Sequence, residues 1–406
     1  MVSRVTNQML TRTLLSNLSM NLSKMDKLQN QMATGRKYAH ISDDPSALIY
    51  GQAARNKLGR LSHFQKSVET SQSWLTQAEA GVMELQKVVG AVYEELVSAG
   101  GPKTDDDKKN VAMIVYQLRD HFVDTLNASY GDRFVYSGYN TPGDFAADRD
   151  PMIKPFTLDA SGNILFNGFN VSQFDGMPSE LINNNFAGLT PAQALTKIND
   201  LGVGAKFDDF ITSKGLNPND MVLSDPNDPL SPMIEQREFM AGELAKMHNL
   251  MNDVVSLDVG PGITMPITLN GLDLIFFTTT DNEGNSIVRN AYDLLSEVYV
   301  AINGDVATGT DPLGADELTK LIRLVQDSQN HLLVKCAEIG GRQRRLELLE
   351  ARYEQDALNY ESMRSDAEDA DMAEVIMYLK MAETVYQSAL SAGARIIQPT
   401  LMDFLR

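Results

Sequence analysis

Three sets of side chains have types that could do chemistry. Asp105-Asp106-Asp107 could bind a divalent cation, and Asp366, Glu368, Asp369, Asp371 and Glu374 could form a carboxylate site. Cys336, the one cysteine, could be a nucleophile. Spacing argues against each. Adjacent residues on a helix do not face one another, so the aspartate run reads as a solvated helix start, where its charge suits the positive end of the helix dipole. The second set spreads around a helical cylinder with no histidine beside it. Cys336 sits near an apolar seam, where a thiol behaves as a small hydrophobe. The histidines at 40, 63, 121, 248 and 331 contain no i,i+4 pair. No phosphate loop, dinucleotide-binding glycine pattern, HExxH or GxSxG occurs. The expectation is a protein with no catalytic, cofactor-binding or metal-ligating residue, hence not an enzyme.

The composition narrows the partners. The chain has 406 residues, 54 acidic against 35 basic, for a net charge of −19. Nucleic acid and anionic membrane are disfavoured, because binding them depends on clustered Lys and Arg. A single cysteine removes disulfides within the chain. No apolar run reaches the ~18 residues that a membrane span needs. The start, MVSRVTNQMLTRTLLSNLSMNL, is amphipathic and lacks the apolar core of a cleavable secretory signal.

The elements that must position these residues are marked out by proline. Eleven of the fifteen prolines fall between 142 and 266, and residues 313–398 contain none. Interior proline costs a helix ~3 kcal/mol, so both flanks are free to be helical and the middle is not. From Leu61 a 3-4 spacing of Leu61, Phe64, Val68, Ser71, Leu75, Ala78, Val82, Leu85, Val89, Val92 and Leu96 forms a heptad seam with Ser71 its one polar member. It should stop near Gly100-Gly101-Pro102. A weaker stripe runs from Leu10 to Met32, and another from Val111 to Leu126. Near the other end Val288, Ala291, Leu295, Val298 and Ile302 suggest one helix, and Leu318, Leu321, Val325, Leu332 and Ile339 a second. The apolar pattern from Leu346 to Leu401 is either one very long helix or two, bent near Arg364–Asp371. In the middle, Phe156–Phe169 reads as a hairpin turning at Ala160–Asn163, and Ile263–Thr280 as a second turning at Asn270-Gly271. Residues 141–235 hold thirteen acids against five bases, an acidic insert that reads as a solvated outer domain.

The fold expected is mainly α, a long antiparallel bundle or coiled-coil rod formed by both chain ends around a β-containing α+β insert. Its parts are 1–42 with 372–406 as a terminal helical assembly domain, 43–145 with 285–371 as a helical rod, and 146–284 as the outward insert. Ser42-Asp43-Asp44-Pro45 marks a joint, with Asp44 placed to cap a helix that has proline at its first position. The terminal stripes need partners. They could pair within a monomer or finish folding against other subunits. The second option puts Leu14, Leu18, Met25, Ile376, Leu379, Tyr386, Leu390, Ile397 and Phe404 in a contact between subunits.

Both ends carry a resemblance. Arg4-Val5-Thr6, the Gly35…Ser42–Pro45 joint, Glu338–Arg342 with Arg345-Leu346-Glu347, Ser365–Asp371, Gln387–Leu390 and Thr400–Arg406 are similar to the two ends of flagellin-family proteins. Two features resemble the hook–filament junction branch of that family. One is Asp43-Asp44-Pro45, where flagellins have Asp-Asp-Ala. The other is Phe134-Val135-Tyr136-Ser137-Gly138 followed by Pro155-Phe156. Tyr136 and Gly341 depart from the usual Phe and Ala. The resemblance covers roughly 1–145 and 285–406 and leaves the insert unmatched. It implies an extracellular structural subunit of the bacterial flagellum, exported through the flagellar type III apparatus with an uncleaved N-terminus and a dedicated chaperone. Its partners would be copies of itself, hook-associated protein 1 and flagellin. A flagellin of the bulk filament, or an enzyme or adhesin carried on the insert, are the other readings.

Overall fold

The computed structural model describes residues 7–38, 40, 42–101, 103–131, 133–138, 154–224, 231–281, 283–304 and 314–396. Three helices open the chain: α1 (Asn7–Thr34), α2 (Pro45–Ala99) and α3 (Asp105–Leu126). The middle holds β1 (Ser129–Tyr130), β2 (Arg133–Phe134), β3 (Phe156–Leu158), β4 (Ile164–Phe166), β5 (Phe169–Asn170), β6 (Met177–Pro178), α4 (Ser179–Asn183), α5 (Pro191–Asp200) and α6 (Gly204–Ser213). It continues through β7 (Met221–Leu223), β8 (Met233–Glu235), α7 (Gln236–Asn252), β9 (Ser256–Gly260), β10 (Ile263–Pro266), α8 (Leu272–Ile275), β11 (Phe276–Thr280) and β12 (Ser286–Asn290). Three helices close it: α9 (Ala291–Asn303), α10 (Ala315–Glu368) and α11 (Met372–Ile396). The fold is mainly α, with long helices at both ends and a strand-containing centre.

The chain divides into two compact units, residues 1–65 with 350–406, and residues 66–349. In the first, α1 and α11 lie antiparallel: Leu14 reaches Gly393, while Leu28 clusters with Val375, Leu379 and Ala382. The start of α2 runs against the end of α10 in the same sense. Phe64 stacks on Tyr353, Lys57 lies over the Tyr360 ring, and Arg55 pairs with Glu368.

In the second unit the heptad seam is the buried line of α2. From Val68 to Leu96 its members are almost fully enclosed, Ser71 included. The Ser71 hydroxyl donates to the Ser67 carbonyl at 2.7 Å, the helix-satisfied option for a buried serine. Leu321, Val325, Leu332, Ile339 and Leu346 form the matching line on α10. Gln343 to Glu79 and Gln326 to Tyr93 set the two helices antiparallel. Thr104 caps α3 and binds Asp107 in return, so the aspartate run is a helix start. The centre contains the sheets β3–β4–β5 and β11–β12–β6 and three two-stranded ribbons, with α5 against α7.

Three sequence expectations require correction. The Phe156 hairpin forms, with Phe156 opposite Phe166, but Asn270-Gly271 is no hairpin turn. β10 pairs with β9 through Gly262, and β11 pairs with β12. Gly271 has φ −62°, right-handed, whereas a two-residue hairpin needs positive φ there. Tertiary contacts claim these residues instead: the Gly271 N–H donates to the Tyr136 carbonyl at 2.9 Å, and Phe156 packs where a Gly271 side chain would be. The second correction is Val288, a strand residue of β12. Asn290 caps α9 two residues later, and its side chain accepts from the Tyr292 N–H. The last stretch does divide, one helix ending at Glu368 and a new one starting at Met372. Its first part, however, is continuous with the segment read as a separate helix from Leu318 to Ile339, since Ala315–Glu368 is one helix.

Candidate functional site

Both helix pairs of the first unit break at one level, and the breaks are tied together. Gly35 takes φ +69° and ends α1, a conformation suited to glycine. Its carbonyl accepts from the Ala370 N–H at 2.8 Å, and the Lys37 N–H donates to the Glu368 carbonyl at 2.7 Å. This makes an antiparallel bridge between Arg36 and Asp369. The Asp43 carboxylate accepts from the His40 N–H and pairs with Lys27 at 3.2 Å. Asp44 accepts from the Ser46 and Ala47 N–H groups at 3.1 Å, and Pro45 opens α2. The Ala47 N–H and the Ser46 hydroxyl hold the Asp44 carboxyl below its ordinary pKa.

Of the carboxylates from 366 to 374, Glu368 and Asp371 hold structural positions in this joint. Glu368 is buried and ion-paired with Arg55, and Gly51 leaves the room its side chain occupies. Asp371 caps α11 by accepting from the Ala373 and Glu374 N–H groups. A pocket of about 110 Å³ is lined by Arg36, Tyr38, His40, Leu48, Gln52, Arg55 and Glu368. Among the described residues no group of three or more His, Cys, Asp or Glu is arranged to hold a metal ion.

Beyond the joint, α1 and α11 cover only one side of each other. Leu379 is buried and Met25 half-buried in their shared cluster, so both serve pairing within the chain. Leu14, Leu18 and Tyr386 are half-buried. Ile376 and Leu390 are exposed, 45% and 46%. Ile397 and Phe404 lie outside the described residues, as do Arg4-Val5-Thr6. The sequence stripe missed much of what is exposed. Met9, Leu15, Met20, Leu22 and Met32 on α1, with Met372, Met377, Tyr378, Met381 and Val385 on α11, are also open to solvent. Leu22 and Met32 lie on the α1 stripe read from the sequence; the others fall off the periodic line, so a search for one amphipathic face passes over them. The usable signal was the number of large apolar residues on α11, more than one covered stripe holds.

The signature segment lies in the second unit and is interior. Tyr136 is fully buried, and its hydroxyl donates to the Ala78 carbonyl at 2.6 Å. Burial pushes that phenol's pKa up. Ser137 forms a bridge with Asn270, and Gly138 has φ +69° with the Asp253 carbonyl 2.7 Å from where a Cβ would sit. Pro155 and Phe156 are buried and Phe134 half-buried. Asn127, at the end of α3, holds Phe156 by two bonds, its amide donating to the Phe156 carbonyl and its oxygen accepting from the Phe156 N–H, both 2.9 Å. These residues anchor the central region to α2 and α3.

Residues 5–141 match the bacterial flagellin N-terminal helical region. The chain is 30% identical over 148 residues to flagellar hook-associated protein 3 of Salmonella typhimurium strain LT2, covering 34% of this chain and 44% of that protein. It is 26% identical over 220 residues to the protein of the same name from Escherichia coli strain K12, covering 48% and 67%. The chain thus spans less than half the length of the first of these relatives. A solved structure described as a flagellar hook-associated protein from Vibrio parahaemolyticus superposes with a TM-score of 0.50 at 14% identity, over 80% of this chain and 100% of that one. That likeness is one of fold.

Proposed function

We propose that this chain is a structural subunit of the bacterial flagellum, forming the junction between hook-associated protein 1 and the flagellin filament. The observation that carries the reading is α11, whose exposed Ile376, Tyr378, Met381, Val385 and Leu390 lie beyond the line that α1 covers. A helix of that kind is stable when enclosed, and further copies of the terminal pair can enclose it. Each large apolar side chain fully buried adds ~1.5–3 kcal/mol, so a handful per subunit suffices. Both curated relatives carry the name hook-associated protein, which favours the junction over the filament. In this reading residues 1–42 with 372–406 assemble, 43–145 with 285–371 form the rod, and 146–284 face outward. The joint at Arg36–Asp369 sets where the assembling pair begins. The subunit works by packing, outside the cell, after export with a chaperone partner.

The test has a cellular and a molecular arm. A deletion strain should still make flagellin but release it unassembled into the medium; filaments that stay attached would sink the reading. The double variant Ile376→Asp, Leu390→Asp alters exposed positions only, so it should keep its helical circular dichroism and lose self-association in sedimentation. A variant that assembles like the parent would show that this surface is not the interface.

A further inference from the structure

The exposed apolar surface of the terminal helix pair is unusual in kind as well as in extent. Three of the five large apolar residues exposed on α1 are methionines (Met9, Met20, Met32), as are three of the seven on α11 (Met372, Met377, Met381). In the second unit Met177, Met240, Met247 and Met265 are 0–3% exposed, out of reach of solvent oxidants, whereas Met83, Met113, Met221 and Met233 are open to solvent. Leucine or isoleucine would give the same transfer free energy with firmer rotamers. Methionine adds a polarisable thioether that repacks easily and that can be oxidised.

We propose that these six methionines form an oxidation-sensitive patch that controls whether the free subunit can assemble. This rests on the reading of the α1–α11 surface as the assembly interface. The oxidant is a peroxide. The thioether sulfur attacks one peroxide oxygen, the O–O bond breaks and an S–O bond forms. Sulfur loses two electrons, becoming a sulfoxide, and hydrogen peroxide is reduced to water. The product is a strong hydrogen-bond acceptor on a formerly apolar side chain. Burying it in an interface without a donor carries the cost of any unpaired polar group, and each oxidised methionine that the interface must cover adds to it. Once subunits have packed, the same sulfurs are enclosed, so oxidation acts before assembly and not after it. The chemistry is reversible by methionine sulfoxide reductases.

The experiment uses the full chain. Purified subunit is treated with hydrogen peroxide, each methionine's oxygen gain is read by peptide mass spectrometry, and assembly is followed by sedimentation and electron microscopy. The six should oxidise while Met177 and Met247 stay reduced, and the assembled fraction should fall at least tenfold. Reductase treatment should restore it. A variant with leucine at all six positions should assemble as the parent does and ignore peroxide, although Met83, Met113, Met221 and Met233 in the second unit and Met363 on α10, all exposed, still oxidise. Assembly that survives full sulfoxidation of the six overturns the inference alone, as does a six-leucine variant that remains equally sensitive. Untreated parent protein that never self-associates overturns the interface reading and the inference with it.

Discussion

Gly81 and Tyr136 make a coupled pair whose energetics can be worked from the structure. Tyr136 inserts its phenol against α2, where the hydroxyl donates to Ala78 and occupies the space a Gly81 side chain would need. Tyr136→Phe removes one neutral hydrogen bond. The Ala78 carbonyl lies inside α2 and keeps its ladder partner, so the loss should be ~1 kcal/mol without an orphan penalty. Gly81→Ala alone gains ~1 kcal/mol of helix propensity. It also drives a methyl into the hydroxyl, and overpacking of ~1–3 kcal/mol together with the broken hydrogen bond outweighs the gain. With both changes the hydroxyl is absent. The new methyl then meets the ring carbons Cζ and Cε2 at 3.1 and 3.2 Å, a shift of a few tenths of an ångström from comfort. The double variant should therefore fall within ~1 kcal/mol of the parent, a coupling of about 2 kcal/mol between sites in contact. Trp74 is the chain's one tryptophan, lies on α2 one turn before Ala78, and packs edge-on against Tyr130. Its fluorescence during urea unfolding reports on this unit. Effects that add to within ~0.5 kcal/mol would refute the packing account.

Two further perturbations test the joint and a buried acid. Arg55→Ala leaves Glu368, 6% exposed, without its cation, and should cost ~1–3 kcal/mol, reduced from the fully buried case because Arg55 itself is partly solvated. The paired variant Arg55→Met, Glu368→Met should recover most of it in thermal circular dichroism, and failure to recover would show that the ion pair itself is needed. Asp293 accepts from the Ser172 hydroxyl at 2.8 Å, and burial, with Asp175 nearby, raises its pKa to about 6. A carboxyl raised above its unfolded value of 3.8 favours the folded state while protonated. That contribution is full below pH 4 and is lost as pH rises through 6. Asp293→Asn should thus stabilise the protein at pH 7.5, by something on the order of 2 kcal/mol, and make little difference near pH 4. Equal effects at both pH values would contradict the burial argument.

The heptad seam was legible from Val68 to Leu96 because each member's burial there follows from a single period, repeated over several turns. The Phe156 hairpin was legible because its turn is closed locally: Asp159 accepts from the Ser161 and Asn163 N–H groups at 2.7 and 2.9 Å. Asn270-Gly271 carries an equally strong local signal and misleads. Its partners, Tyr136 and Phe156, lie more than a hundred residues away in the chain. Val288 fits a helical stripe on spacing, but pairing with Met177 and Thr278 places it in a sheet.

The joint separates the two kinds of information. Asp44 with Pro45, and Gly35 before them, mark a helix end and a helix start from their own conformational preferences, and no tertiary context is needed to see it. The same holds for the proline-poor flanks, the acidic insert and the apolar excess of the terminal helices. That the carboxylates near residue 370 divide into a buried ion-pair member, Glu368, and a helix cap, Asp371, was settled only when the chain brought residue 36 beside residue 369. The same pairing decided which terminal side chains, such as Leu379, are buried within the chain and which, such as Ile376, stay exposed. Periodicity tells that a helix has an apolar face. How much of that face is covered depends on the one partner the fold supplies, and a single helix can enclose only one side of another.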